Sequence, residues 1–179
     1  RKGKEEYRKL LSRADDLGPG NPIAANAYFA YAFAAAWLGG DKKIMPDEMA
    51  HVMTDVLTSP LLRALFGMID LNKSPKIWYR SMKKYETWYR KKGREYPVNW
   101  VVHFDESLHR DGSYYYFTRC PICEFCDREG IAELMPALCA TDEVMLGLQH
   151  GKLHRKHTIS NGDGVCDYWI VGDKVKNAK

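Results

Sequence analysis

Apolar residues recur three and four positions apart through the first hundred residues, and then give way to short apolar runs. Between Glu5 and Ala14 the positions Tyr7, Leu10, Leu11 and Ala14 fall on one face of a helix. Gly18-Pro19-Gly20-Asn21-Pro22 breaks that pattern. Ile23 to Leu38 is apolar nearly all round, with Asn26 its one strongly polar residue, so it predicts a buried central helix ended by Gly39-Gly40. Pro46, followed by Asp47 and Glu48, opens the next helix, since a first-turn proline loses no hydrogen bond and the helix dipole favours acids there. Ser59-Pro60 interrupts it, and a further segment extends to about Ile69. Ser74-Pro75 starts a helix that Gly93 and Pro97 close.

The pattern changes at Asn99. Trp100 to Phe104 and Ser113 to Thr118 are rich in strand formers, and the polar stretch between them ends in Asp111-Gly112, which predicts a hairpin. A short helix is expected from about Glu129 to Leu138, running into Cys139 and Asp142. Leu153 to Ile159 and Val165 to Val171 predict a second strand pair joined by Asn161-Gly162-Asp163-Gly164. Helices first and strands late argue for an α+β fold, a helical N-terminal half packed on a C-terminal antiparallel sheet with a short inserted helix. The expectation is one domain over 1–179, helical to about 97 and sheet-containing from about 98.

Composition narrows the function classes. Hydrophobic residues are 45% and charged residues 28%, the balance of a globular protein. The longest apolar stretch, Ala27 to Leu38, is too short to cross a bilayer and lacks signal-peptide flanks, so no membrane role and a cytoplasmic location are expected. The net charge is +4, much of it between Lys76 and Arg94, interleaved with Trp78, Tyr79, Tyr85, Trp88 and Tyr89. An amphipathic helix with aromatics inward and lysines in water is preferred there over contact with nucleic acid.

All five cysteines, 120, 123, 126, 139 and 166, lie in the last third of the chain. An odd count forbids complete disulfide pairing, and a reducing compartment leaves free thiols or metal thiolates. Cys120, Cys123 and Cys126 have a spacing that suits ligation of zinc or an iron–sulfur cluster, with Cys139, Cys166, His150, His154 or His157 as a fourth ligand. Neither the fourth cysteine of a ferredoxin run nor the second pair of a zinc ribbon is present. Cys120-Pro-Ile-Cys123 can also be read as a redox dithiol, without the strand-and-long-helix setting of thioredoxin. A third reading is a pocket lined by Cys and Asp. On a helix, Cys139 and Asp142 would share a face; on a strand, Cys166 and Asp167 would point apart. Against all three stands the reading of each cysteine as a small buried hydrophobe. The Asn161 to Gly164 loop is a hairpin turn rather than a phosphate cradle, having no lysine and no following helix, and the three histidines read as an exposed basic cluster.

The order of motifs carries a resemblance. Arg119-Cys120-Pro121 is followed by Gly130-Ile-Ala-Glu133-Leu134 and Leu138-Cys139-x-x-Asp142, then by His157-Thr158-Ile159, Gly162-Asp163 and Cys166-Asp167-Tyr168. Over roughly residues 98–171 this set resembles the L-2-amino-thiazoline-4-carboxylate hydrolase family. The resemblance implies hydrolytic opening of a five-membered cyclic isothiourea to a carbamoyl-cysteine-type product, with no cofactor required. Its motif residues make Cys120, Cys139, Asp142, Cys166 and Asp167 the catalytic candidates. Cys166 or Cys139 would be the nucleophile and Asp142 the base or amidinium partner, with Arg119 and His103 binding the carboxylate or moving a proton. Cys123 and Cys126 are extras to that pattern and keep the metal reading open. A non-catalytic small-molecule-binding domain is the remaining alternative. The expected partner is a small-molecule substrate, and a homo-oligomer is left open.

Overall fold

The computed structural model describes residues 2–109 and 111–176. Helices α1 (Lys2–Arg13), α2 (Ala24–Gly39), α3 (Pro46–Leu57), α4 (Pro60–Phe66) and α5 (Ile77–Lys92) fill the first half. Strands β1 (Val101–His103) and β2 (Ser113–Arg119), helices α6 (Pro121–Arg128) and α7 (Met135–Leu148), and strands β3 (Gly151–His154) and β4 (Cys166–Gly172) follow. The strands form one antiparallel sheet in the order β1-β2-β4-β3. The fold is α+β.

Hydrophobic periodicity places the helices. The apolar helix α2 is the centre of the core, burying Ala27, Ala30, Tyr31, Ala34, Ala35 and Trp37. α1 lies so close to it that a Cβ on Gly39 would stand 2.5 Å from the backbone nitrogen of Gly3. α5 turns Met82 and Tyr85 inward and leaves Lys84, Arg90 and Lys91 exposed, and the Tyr85 hydroxyl donates to the carbonyl of Trp100 at 2.6 Å. Ser113, Tyr115 and Phe117 of β2 face the core, and Tyr114 and Tyr116 face away from it.

Two expectations are corrected. The single short helix expected over about 129–138 is two helices, α6 and α7, separated by Gly130 at φ +66° and a 3₁₀ turn over Ala132–Leu134. Pro121 and Pro136 each sit at the start of a helix, where a missing N–H is harmless, so the cysteine run itself is helical. The second correction concerns the strand expected over Leu153 to Ile159, which leaves the sheet after His154. The Asp167 carboxylate accepts the backbone N–H groups of Lys156 and His157, diverting them from any ladder. That departure is what frees Arg155 to turn beneath the sheet.

Candidate functional site

A cavity of about 160 Å³ opens between α2, α7 and the inner face of β2 and β4, reached also by α5 and the start of α6. Its walls are apolar. Trp78, Trp100, Tyr115, Phe117, Leu138 and Ile170 line its depth, and Phe29, Phe33, Leu57, Phe66 and Met145 also line it. Phe29 is 49% exposed, so its side of the cavity opens to solvent.

Four of the five cysteines reach this space, namely Cys120, Cys123, Cys139 and Cys166. Each arrives by a different local rule. Cys120 is the cap residue before α6, in extended backbone, with Cys123 three residues on. Cys139 and Asp142 are three apart on α7 and share its inward face. Cys166 and Tyr168 are two apart on β4 and share the inner face of the sheet.

The thiols are not equivalent. Burial pushes Cys139 up to about 11, against a weak contact of its Sγ with Ser160 Oγ at 3.6 Å. Burial likewise raises Cys166. Cys120 moves the other way. Its thiolate is favoured by the Cys123 thiol donating to it, then by the backbone N–H groups of Cys123 and Ile122, which together outweigh burial. Cys123, the donor in that pair, is raised.

Beside Cys139 on α7 and Cys166 on β4 stands a polar trio of Asp142, Arg155 and Tyr168. Asp142 Oδ2 accepts from Arg155 Nη1 at 2.8 Å and from the Tyr168 hydroxyl at 2.8 Å. Arg155 Nη2 donates to the carbonyl of Cys139 at 2.9 Å. Arg155 is 7% exposed, whereas Asp142 keeps 35% of its side-chain surface open, and it is Asp142, not Arg155, that lines the cavity. Burial raises the Asp142 carboxyl above its usual range, with Arg155 and Tyr168 pulling it back. Burial would lower Arg155, but the Asp142 carboxylate beside it holds its proton more firmly.

Of the residues expected from the sequence, the cavity brings together Cys120, Cys139, Asp142 and Cys166, and not Asp167, Arg119 or His103. Asp167 lies on the opposite face of β4, as strand alternation requires, and holds the loop after β3. Arg119 is spent on Glu124 and on the carbonyl of Pro97. His103 Nε2 meets Thr118 Oγ1 at 2.9 Å and its ring stacks on Tyr116, away from the cavity. The expected metal set does not assemble either. Along α6 the six-residue step from Cys120 to Cys126 turns about 120° around the axis, and Cys126 is buried in the core, outside the cavity. Among the described residues no group of three or more His, Cys, Asp or Glu side chains is arranged to hold a metal ion.

Arg155 and Tyr168 were missed. Tyr168 was within reach of sequence reasoning, because period two ties it to Cys166. Nothing in His154-Arg155-Lys156-His157 marks the second residue as the buried one.

The α+β fold thus closes a small apolar cavity around thiols and one ion-paired carboxylate. The chain belongs to the L-2-amino-thiazoline-4-carboxylic acid hydrolase family, whose sequence model matches residues 25–170. No curated protein and no solved structure matches it. Among the described residues no helix is long and apolar enough to cross a membrane.

Proposed function

We propose that this chain is a hydrolase that opens a small cyclic amidine of the 2-amino-thiazoline type, with Cys120 as nucleophile and Asp142 as the partner of the amidinium N–H groups. The observation that carries this reading is the meeting of two groups in one apolar cavity. One is the thiol whose proton is loosened, and the other is the carboxylate that keeps an open edge. Family membership supplies the reaction class.

In the proposed sequence the Cys120 sulfur adds to the ring carbon between nitrogen and sulfur, and the C=N electron pair moves onto nitrogen. The ring C–N bond then breaks, its electron pair leaving with the nitrogen, which takes a proton to become an amine. Water adds to the same carbon, the bond to Cys120 breaks and the thiolate returns. The net change is substrate plus one water, giving an S-carbamoyl amine. Asp142 holds the amidinium through its open oxygen, because Oδ2 already accepts from Arg155 and Tyr168. Cys139 and Cys166, with their protons held more tightly, serve as wall and not as nucleophile. Every step uses side chains and water.

The test is turnover of 2-amino-2-thiazoline, read as a product heavier by one water. Cys120→Ser should reduce kcat/KM at least about a thousandfold, as loss of a covalent nucleophile does. Turnover at the native rate by Cys120→Ser would remove the nucleophile assignment. Absence of turnover of any cyclic amidine by the native chain would remove the hydrolase.

A further inference from the structure

We infer that Cys120 and Cys123 form a reversible modification site, in which hydrogen peroxide oxidises Cys120 and Cys123 closes a disulfide onto it. All five cysteines are free thiols, and these two have the placement for such a bond. Cys120 stands immediately before α6 in extended backbone, at φ −131° and ψ 111°, and Cys123 is the third residue of the helix. The N–H of Glu124 donates to the Cys120 carbonyl at 3.2 Å, so the first turn of α6 encloses both residues. Three residues along a helix put two Cα atoms about 5 Å apart, inside the roughly 4.4–6.8 Å that a disulfide spans. The two side chains already meet, the Cys123 thiol donating to the Cys120 sulfur.

Both residues line the cavity, which a reagent as small as a peroxide enters from the solvent side at Phe29. Cys120 is half-buried, whereas Cys123 is only 7% exposed. Cys120 therefore meets the oxidant and Cys123 resolves it. The other thiols are placed for neither task. Cys126 is packed in the core outside the cavity. Cys139 lies on α7 against the Ser160 hydroxyl, and Cys166 lies on β4. Among the described residues no metal-ligating group of three or more side chains claims the pair.

The chemistry closes without a further reagent. The Cys120 thiolate attacks one peroxide oxygen, the O–O bond breaks, and the departing hydroxide takes up the proton that the thiol gave up. Cys120, oxidised by two electrons, is then a sulfenic acid. The Cys123 sulfur attacks the Cys120 sulfur, the S–OH bond breaks, and the hydroxide leaves with the Cys123 proton as a second water. Two thiols and one hydrogen peroxide thus become one disulfide and two waters. Thiol exchange with a small thiol such as glutathione reverses the bond, two of its molecules being oxidised as the pair is reduced. The disulfide also spares Cys120 from the irreversible step to sulfinic acid. Its effect on turnover rests on the hydrolase reading, in which Cys120 is the nucleophile.

The test treats the full reduced chain with excess hydrogen peroxide at pH 7, unfolds it in urea, tags free thiols with iodoacetamide and cuts with trypsin. Cleavage after Arg119 and Arg128 releases Cys120 to Arg128 as one peptide holding Cys120, Cys123 and Cys126. That peptide should be lighter by two hydrogens and carry its one tag on Cys126. Cys139 and Cys166 should oxidise at least about ten times more slowly. Cys126→Ser should still form the bond, and Cys123→Ser should leave a sulfenic acid at Cys120 that dimedone labels. Three tags on the peptide overturn the inference. A bridge from Cys120 to Cys139 or Cys166, a bridge from Cys123 to Cys126, or a sulfinic acid at Cys120 in place of the bond overturns it as well. Turnover of 2-amino-2-thiazoline is followed separately, and should fall in proportion to the bond and return with glutathione. The bond with full turnover would overturn the nucleophile assignment and leave the modification site. Three tags with turnover intact would overturn the modification site and leave the hydrolase.

Discussion

Replacing Arg155 by Met removes a buried cation and keeps most of the side-chain volume. In the native chain that guanidinium donates to Asp142 and Tyr168 through Nη1 and to the Cys139 carbonyl through Nη2, while only 7% exposed. Breaking one partner out of a buried ion pair costs about 3–5 kcal/mol, chiefly because the other charge is left uncompensated. Asp142 keeps 35% of its side-chain surface open, so water in the cavity offsets part of that. The expected loss is therefore about 3 kcal/mol, at the lower end of the range. Asp142→Asn in the native background should cost about 2 kcal/mol, since it strands Arg155 instead. In the Arg155→Met background the same change should recover about 1 kcal/mol, because it removes the orphaned charge. The sign of one substitution thus depends on the other, with a coupling of about 3 kcal/mol. Urea unfolding of the four proteins, followed by tryptophan fluorescence with the slope required to stay constant, measures it. Equal costs for Asp142→Asn in both backgrounds, within about 0.5 kcal/mol, would refute the argument.

The pH dependence of that deficit has a fixed sign. The Asp142 carboxyl is raised in the folded state, so the folded chain holds this proton to higher pH than the unfolded chain does. Such a group favours folding more as pH falls towards the unfolded value. Without Arg155 the rise is larger. The Arg155→Met deficit should then be greatest at neutral pH and shrink as pH falls through the raised Asp142 value. A deficit constant from pH 7 to pH 4 would contradict it.

Two further outcomes follow from the geometry. Alkylation by iodoacetamide at pH 7, mapped by peptide mass, should mark Cys120 first. Cys123→Ala should raise the pH at which Cys120 reacts, because the thiol that stabilises its thiolate is gone; a Cys139 or Cys166 that reacts ahead of Cys120 would defeat the ranking. Gly39→Ala should destabilise the chain by about 1–3 kcal/mol in the same urea assay, because its Cβ would fall 2.5 Å from Gly3 N and 2.6 Å from Gly3 Cα, backbone against backbone. An unchanged midpoint would mean that α1 can move off α2 without cost.

The helical half was legible because its signals are local. Periodicity at Tyr7, Leu10 and Leu11, prolines at helix starts and Gly39-Gly40 at a helix end each act within a few residues. The hairpin of β1 and β2 was legible for the same reason. The cysteine run was not, because its spacing fits a metal-ligand motif as readily as the helix that Pro121 begins. The path after β3 was out of reach: a carboxylate ten residues on, Asp167, takes the amides of His157 and Lys156, and no local pattern announces that bond. The site divides along the same line. Cys139 with Asp142 follows from a helix spacing of three, and the parting of Cys166 from Asp167 follows from strand alternation. Arg155 depends on the irregular path of the chain and could be found only in three dimensions.

The cysteines invite one explanation by their crowding in sequence, and the fold gives them several. Burial alone makes a thiol harder to ionise, and it does so at Cys126, Cys139 and Cys166. Cys120 differs through its place just before α6, where the Cys123 thiol and the backbone N–H groups of Cys123 and Ile122 favour its thiolate. The carboxylate of the same cavity is fixed by other means: Asp142, three residues from Cys139 on the inward face of α7, is held by its pairing with Arg155.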